Sequence, residues 1–472
     1  MGSGQVTDWQ GKNVTVAGLG VSGVPAAKVL HGLGAKVTVV NDGDDDRARA
    51  QAAGLRALGV TVRLGDGATL PEGTELIVTA PGWQPDKPLF AAAHEAGVEI
   101  WGDVELAWRL RGPDAAPWLC VTGTNGKTTT TQMLASVLKA AGLRTAAVGN
   151  IGVSLLDAVL GEEPYDVLAV ELSSYQLHWA PSLRAHSAAV LNLAPDHLDW
   201  HGSMEAYARD KGRVYEGNRV ACVYNVADKA TEDLVREADV EEGCRAIGFT
   251  LGTPGPSQLG VVDGILVDRA FVENRHKNAQ ELAEVSDVNP PAPHNIANAL
   301  AAAALARAFG VPATAVRDGL RAFTPDAHRI AHVADVDGVA YVDDSKATNT
   351  HAAQASLAAY DPIVWIAGGL AKGATFDELV AASAKRLRGV VLIGADRALI
   401  REALARHAPE VPVVDLDRTD TGAMLQAVQE ARRLAQPGDT VLLAPACASM
   451  DMFANYNKRG DAFAEAVREL GS

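Results

Sequence analysis

Gly123-Thr124-Asn125-Gly126-Lys127-Thr128-Thr129 bring together the residue types that hold a polyphosphate. A glycine-rich turn leading into a helix offers unpaired backbone N–H groups and the positive end of the helix dipole to an anion. Lys127 would neutralise the β- and γ-phosphates, and the Thr128 hydroxyl is placed for the accompanying Mg²⁺. The usual pattern has a glycine where this chain has Val121, so the loop is a shorter G-x-x-G-K-T form. The chemistry expected is binding of a nucleoside triphosphate.

Other groups could join it. Glu171 ends the apolar run Val167-Leu168-Ala169-Val170 and is a candidate Mg²⁺ ligand beside the loop. The alternative reading is a surface acid at a strand end. Asp196-His197-Leu198-Asp199-Trp200-His201 follows the next strand and could be read as a zinc site, but it lacks the i, i+4 helical histidine spacing. Asp199 and His201 read as loop residues. Lys211 lies on a helical stretch at 204–215, where a lysine is ordinarily solvated. Near the N-terminus, Gly18, Leu19, Gly20, Val21, Ser22 and Gly23, with Asp42 after the next strand, have the spacing of a dinucleotide fingerprint. That loop is a general diphosphate cradle; it suits a UDP-linked ligand as well as a nicotinamide.

Positioning these groups requires alternating strands and helices. A chain of 472 residues is too long for one core, and three α/β blocks emerge. The first has strands at 14–17, 37–40 and 76–79. The second has strands at 118–121, 167–171, 188–193, 219–224 and 245–249, a helix at 129–141 and an Ala-rich helix at 295–309. A short helix at 316–323 leads to Thr324-Pro325, a candidate hinge. The third has strands at 339–342, 363–367, 390–393, 412–415 and 441–443. Its loops Asp343-Asp344-Ser345-Lys346-Ala347-Thr348-Asn349, Gly368-Gly369-Leu370-Ala371-Lys372 and Ala444-Pro445-Ala446-Cys447-Ala448-Ser449 all follow apolar strands and should share one sheet edge. The net charge of −16 argues against a nucleic-acid or anionic-membrane surface. The scattered Cys120, Cys222, Cys244 and Cys447 suit a reduced, cytoplasmic protein, and residues 1–10 show no apolar signal core.

Residues 122–129, Gly149-Asn150-Ile151-Gly152, Glu171-Leu172-Ser173-Ser174, Asp196-His197, His294-Asn295-Ile296-Ala297-Asn298 and residues 344–349 resemble, in order, the signatures of the Mur ligase family. The resemblance spans nearly the whole chain. It implies an α/β protein of three domains: a Rossmann-like UDP-substrate domain (1–113), a P-loop-type ATPase domain with a mostly parallel sheet (114–325) and a Rossmann-like C-terminal domain (326–472). Residues 18–23, 345–349 and 445–449 point to the family activity that adds D-glutamate to UDP-N-acetylmuramoyl-L-alanine in peptidoglycan synthesis. That activity spends ATP and proceeds through an acyl phosphate. The resemblance further implies two Mg²⁺ ions held by Thr128, Glu171, His197 and a carbamylated Lys211. The nucleotide would meet residues 123–129, Asn298, Arg329, Asp344 and Lys346. Asn150 and His197 would approach the acyl end of the UDP substrate, whose nucleotide would lie on residues 18–23 and Asp42. Thr348, Lys372, Ser449 and Tyr456 would hold D-glutamate. Ala80, Leu370 and Tyr456 depart from the family pattern, which has serine, aspartate and phenylalanine there. A cytoplasmic monomer without nucleic-acid or membrane partners is expected.

Three rivals stand beside this reading. A nicotinamide dehydrogenase explains residues 18–23 alone. A folate polyglutamate synthase has no use for that N-terminal block. A nucleotide switch would form no amide bond.

Overall fold

The structure, a computed structural model, describes residues 8–418 and 420–470. Part of the polar N-terminal stretch, residues 1–7, lies outside the described residues. The chain divides into two compact units. One comprises the residues up to Asp287 together with Ala297–Ala322; the other comprises Val288–Ile296 and the residues from Phe323 onward.

The first unit holds two sheets. The N-terminal sheet contains β1 (Asn13–Ala17), β2 (Lys36–Asn41), β3 (Thr61–Leu64), β4 (Leu76–Thr79) and β5 (Glu99–Gly102), all parallel, in the order β3-β2-β1-β4-β5. The order reverses between β1 and β4, which leaves a crevice beyond the C-terminal end of β1, where residues 18–23 lie. The nine-stranded sheet comprises β6 (Trp118–Thr122), β7 (Ala147–Gly149), β8 (Leu168–Glu171), β9 (Ser187–Val190), β10 (Ala221–Asn225), β11 (Arg245–Phe249), β12 (Gln258–Val262), β13 (Ile265–Asp268) and β14 (Gln280–Glu284). Its order is β14-β13-β12-β11-β10-β9-β6-β8-β7. β6 reads as a continuous apolar run because it is buried on both faces between parallel neighbours. The sheet is mostly parallel, as expected; at one edge β13 runs antiparallel to its neighbours β12 and β14.

Helix Asp103–Leu110 docks the first sheet onto the second. Glu105, fully buried, accepts from Ser182 N at 3.0 Å and Arg109 Nε at 2.7 Å. Trp108 and Trp118 meet edge to face at 5.0 Å. Among the described residues no helix is long and apolar enough to cross a membrane.

The second unit is built on β15 (Ala331–Val336), β16 (Val339–Asp343), β17 (Ile363–Gly368), β18 (Leu387–Ile393), β19 (Val413–Asp415) and β20 (Thr440–Leu443), in the order β15-β16-β20-β17-β18-β19. Only β15 runs antiparallel. Because β16, β20 and β17 are adjacent and parallel, the loops after them do share one edge, as the sequence led us to expect.

Candidate functional site

The loop between β6 and helix Lys127–Ala140 is the centre of the first unit's site. Gly126 caps that helix at φ +84, and a Cβ there would stand 2.4 Å from Asn298 Oδ1. Glycine is required on both counts. The helix begins at Lys127, two residues before the expected start, and buries Met133, Leu134, Val137 and Leu138. Asn192, just beyond β9, braces the loop from outside. Its Oδ1 accepts from Asn125 N at 2.9 Å, and its Nδ2 donates to Asn125 O at 3.1 Å. The Thr124 hydroxyl meets Tyr207 Oη at 2.9 Å.

Two ammonium groups converge on one carbonyl. Lys127 Nζ donates to Gly123 O and Thr124 O, each at 2.9 Å. Lys211 Nζ donates to Gly123 O at 2.8 Å and to Thr122 Oγ1 at 3.4 Å. Lys211 is only 2% exposed, so the expectation of a solvated helix lysine is overturned. Burial lowers its ammonium well below the usual lysine range, and the Lys127 charge pushes the same way.

Glu171, at the end of β8, is 1% exposed. Its Oε1 accepts from Asn150 Nδ2 at 2.8 Å, while the buried Oε2 has no hydrogen-bond partner. A surface acid is thereby excluded. A buried carboxylate oxygen left open beside a phosphate-type loop suits a hard cation that takes one or two carboxylates plus phosphate oxygens. No group of three or more His, Cys, Asp or Glu placed to hold a metal occurs among the described residues.

His197 stands at φ +54, ahead of the short helix Leu198–His201, with its ring 4.9 Å from that of Tyr175. Burial, assisted by Lys127 and Lys211 and opposed by Asp196, keeps its imidazole below the ordinary value. His201 is not a loop residue as expected. It ends that helix, and its side chain is fully enclosed, bonded to Asp210 at 3.0 Å and Ser174 at 2.9 Å. Burial pushes the Asp210 carboxyl up, but bonds from His178 and His201 outweigh it and hold it at about 2.

In the N-terminal crevice, a Cβ on Gly23 would meet Gly18 O at 2.0 Å, which is the close helix–strand approach the fingerprint requires. Ser22 donates to Asp103 at 3.0 Å, and Asp42 is paired with Lys87 at 2.6 Å. Trp83 lies against Gly18, and Val21 is exposed at the tip of the turn.

In the second unit, Asp344 follows β16 and is buried, accepting from Ile330 N at 3.3 Å and from the Ser356 hydroxyl. Burial raises its carboxyl to about 6. Lys346 Nζ sits 4.0 Å from the centre of the Tyr456 ring. Arg459, buried, ties the loops together through Ser345 Oγ at 3.0 Å, Ser345 O at 2.9 Å and Cys447 O at 3.1 Å. Leu370 and Ala448 pair in both directions at 2.9 Å, bringing the Lys372 and Ser449 loops side by side. Lys372 is exposed at φ +51; Thr348 is half-buried, as is Arg329.

Sequence reasoning missed Tyr207, Asp210, His178, Asp103 and Arg459. Each acts through a partner far along the chain, and no local spacing marks it.

Comparison with known proteins supplies the family. Residues 121–306 match the Mur ligase middle domain, and residues 328–447 match the Mur ligase glutamate ligase domain. The chain is 90% identical over 467 residues to a UDP-N-acetylmuramoylalanine–D-glutamate ligase of Streptomyces avermitilis, covering 99% of this chain and 100% of that protein. It is 88% identical to the Streptomyces coelicolor enzyme of the same description, over 99% of this chain and 100% of that one. The solved UDP-N-acetylmuramate–alanine ligase of Thermotoga maritima, 18% identical, aligns with a TM-score of 0.56 over 97% of this chain and 99% of its own, and so shares the fold. The chain belongs to the Mur ligase family, among its UDP-N-acetylmuramoylalanine–D-glutamate ligases.

Proposed function

We infer that this protein is an ATP-dependent ligase that joins D-glutamate to UDP-N-acetylmuramoyl-L-alanine in peptidoglycan synthesis. The observation that carries the reading within the chain is the convergence of Lys127 and Lys211 on Gly123 O, beside the open oxygen of Glu171. The L-alanyl carboxylate attacks the γ-phosphorus of ATP, giving an acyl phosphate and ADP. The D-glutamate amine then attacks the acyl carbon, loses a proton and displaces phosphate. Such a reaction depends on positioning and charge neutralisation and needs no protein nucleophile.

Each residue has a part. Lys127 leaves its two loop carbonyls to meet the phosphates, and residues 123–129 present backbone N–H groups to them. Thr128 and Glu171 would hold one Mg²⁺, and His197 and Lys211 would serve a second. Bound Mg²⁺ would neutralise phosphate charge during transfer. The depressed Lys211 leaves neutral amine available to add CO₂ and release a proton, and the resulting carbamate is an anionic oxygen ligand. Asn298, Arg329, Asp344 and Lys346 serve the nucleotide. Residues 18–23 and Asp42 take the uridine diphosphate, with Asn150 and His197 at the acyl end. Thr348, Lys372, Ser449 and Tyr456 receive the D-glutamate carboxylates. The division of labour is 1–113, 114–325 and 326–472, in a cytoplasmic enzyme acting as a monomer.

Phosphate release with UDP-N-acetylmuramoyl-L-alanine, ATP and Mg²⁺, run with D- and then L-glutamate, tests this. D-glutamate should give ADP and a nucleotide-linked dipeptide in equal amounts. Equal rates with both isomers, or ADP without the dipeptide, refutes it.

A further inference from the structure

Asp210 immediately precedes Lys211, and its carboxylate is enclosed by three basic side chains. Oδ2 faces His178 Nδ1 at 2.9 Å and His201 Nδ1 at 3.0 Å, while Arg213 Nε stands 3.3 Å from Oδ1. His201 carries the chain onward, because its Nε2 lies 2.9 Å from the Ser174 hydroxyl. An ionised Asp210 can only accept, so both Nδ1 atoms donate to it, and His201 Nε2 with the Ser174 hydroxyl extends the chain.

Its position matters more than its composition. Ser174 and His178 open and close the helix Ser174–His178, which follows Glu171 by three residues. His201 closes the helix that follows His197. Asp210 lies in helix Met204–Gly212 beside Lys211. Each of the three helices contains a candidate metal ligand or begins within three residues of one, Glu171 at the end of β8, His197 as the N-cap of its helix and Lys211 within the third, and the buried bonds Ser174–His201–Asp210 join all three. Tyr175 packs in the middle, 4.9 Å from the His197 ring and stacked on His201 at 5.6 Å and 7°. Apolar contacts would hold the elements together as well, since a buried charged cluster adds little stability over well-packed apolar residues. What the polar network adds is directional bonds that fix register.

We propose that Asp210, acting through His201 and Ser174, is a positioning residue that sets the spacing of Glu171, His197 and Lys211 and thereby the binding of the magnesium-nucleotide. The proposal rests on the function inferred above. Groups hydrogen-bonded directly to a metal ligand typically change metal affinity or activity by about 10- to 100-fold, which sets the ceiling for a network that acts through the elements carrying the ligands.

The full-length chain should be assayed for kcat, half-saturating Mg²⁺, KM for D-glutamate and Mg²⁺-dependent ADP binding. Asp210→Asn is expected to lower kcat by up to about tenfold, the lower end of the range for groups bonded directly to a ligand, and raise the Mg²⁺ requirement, with KM for D-glutamate unchanged. His201→Asn, which keeps a donor for Asp210, should retain more activity than His201→Leu. Ser174→Ala at the far end of the network guards against a misfolded Asp210 variant. Its loss should combine with that of Asp210→Asn to less than the product of the two. Full activity with an unshifted Mg²⁺ requirement in Asp210→Asn, loss only in proportion to unfolded protein, or strict multiplicativity with Ser174→Ala overturns the proposal. ADP binding needs no acceptor. A wild-type chain that binds magnesium-ADP yet forms no amide refutes the inferred function, while the binding comparison still decides the role of Asp210.

Discussion

Asp344→Asn should make the second unit more stable while removing activity. The carboxyl is 8% exposed, and burial lifts it to about 6 from an ordinary value near 3.8. That gap of about two units corresponds to roughly 3 kcal/mol of penalty on the ionised form at neutral pH. The sign follows from proton binding. The folded state holds the proton more tightly than the unfolded chain, so this penalty is absent below about pH 4, grows as pH rises and is complete above about pH 7. Asparagine removes the charge and can keep both hydrogen bonds. Its oxygen can accept from Ile330 N, and its amide can donate to Ser356 Oγ, because that hydroxyl has Ala352 O at 3.1 Å as an alternative acceptor. Native-state amide exchange in β16 and helix Thr350–Leu357 reads this locally, which matters in a chain of two units. At pH 8 exchange should slow by about 30- to 100-fold relative to the wild type, and the difference should shrink toward pH 4.5. Unchanged or faster exchange at pH 8, or an equal gain at both pH values, refutes the argument. The same variant should lose ATP-dependent turnover, since a carboxylate kept at such cost is serving a ligand.

Lys211→Ala should lose most activity and recover part of it with a short free carboxylate in the buffer; full activity without the supplement removes Lys211 from the mechanism. Gly126→Ala places a methyl 2.4 Å from Asn298 Oδ1 at φ +84, so nucleotide affinity measured by fluorescent ADP titration should fall at least tenfold. His328 is raised by its hydrogen bond from Nδ1 to Asp343, 2.6 Å long, with Asp461 adding to it. Its stabilisation is fully present below about pH 6.5 and is lost as pH rises through the higher folded value. Amide exchange in β16 should therefore quicken across that window beyond its intrinsic pH dependence in the wild type, and less so in His328→Gln.

The parts of the fold legible in the sequence were those with continuous apolar strands. β6, β8, β17 and β20 are buried on both faces, and their composition states it. The edge was harder to read. β14, Gln-Glu-Leu-Ala-Glu, exposes three of its five side chains and carries no strand signature. The hairpin of β12 and β13 did have a signal in Asp263-Gly264, both at positive φ, the two-residue turn that joins antiparallel strands. At the candidate site, the phosphate loop was visible because its chemistry is contiguous. Lys211 was not, because the acceptors that permit its burial lie 88 and 89 residues earlier, at Gly123 and Thr122. Local spacing on a helix rich in charge favours solvation, and for most lysines that wins. It loses here because the amine is buried against Thr122, the Gly123 carbonyl and the Tyr207 ring, near a second cation that makes its charge costlier still. A group held in such an unfavourable state without an evident gain in stability is where function should be sought. Glu171 and Asp344 obey the same logic from the acidic side: their burial is unexplained by packing and becomes reasonable once a cation or a nucleotide shares the site.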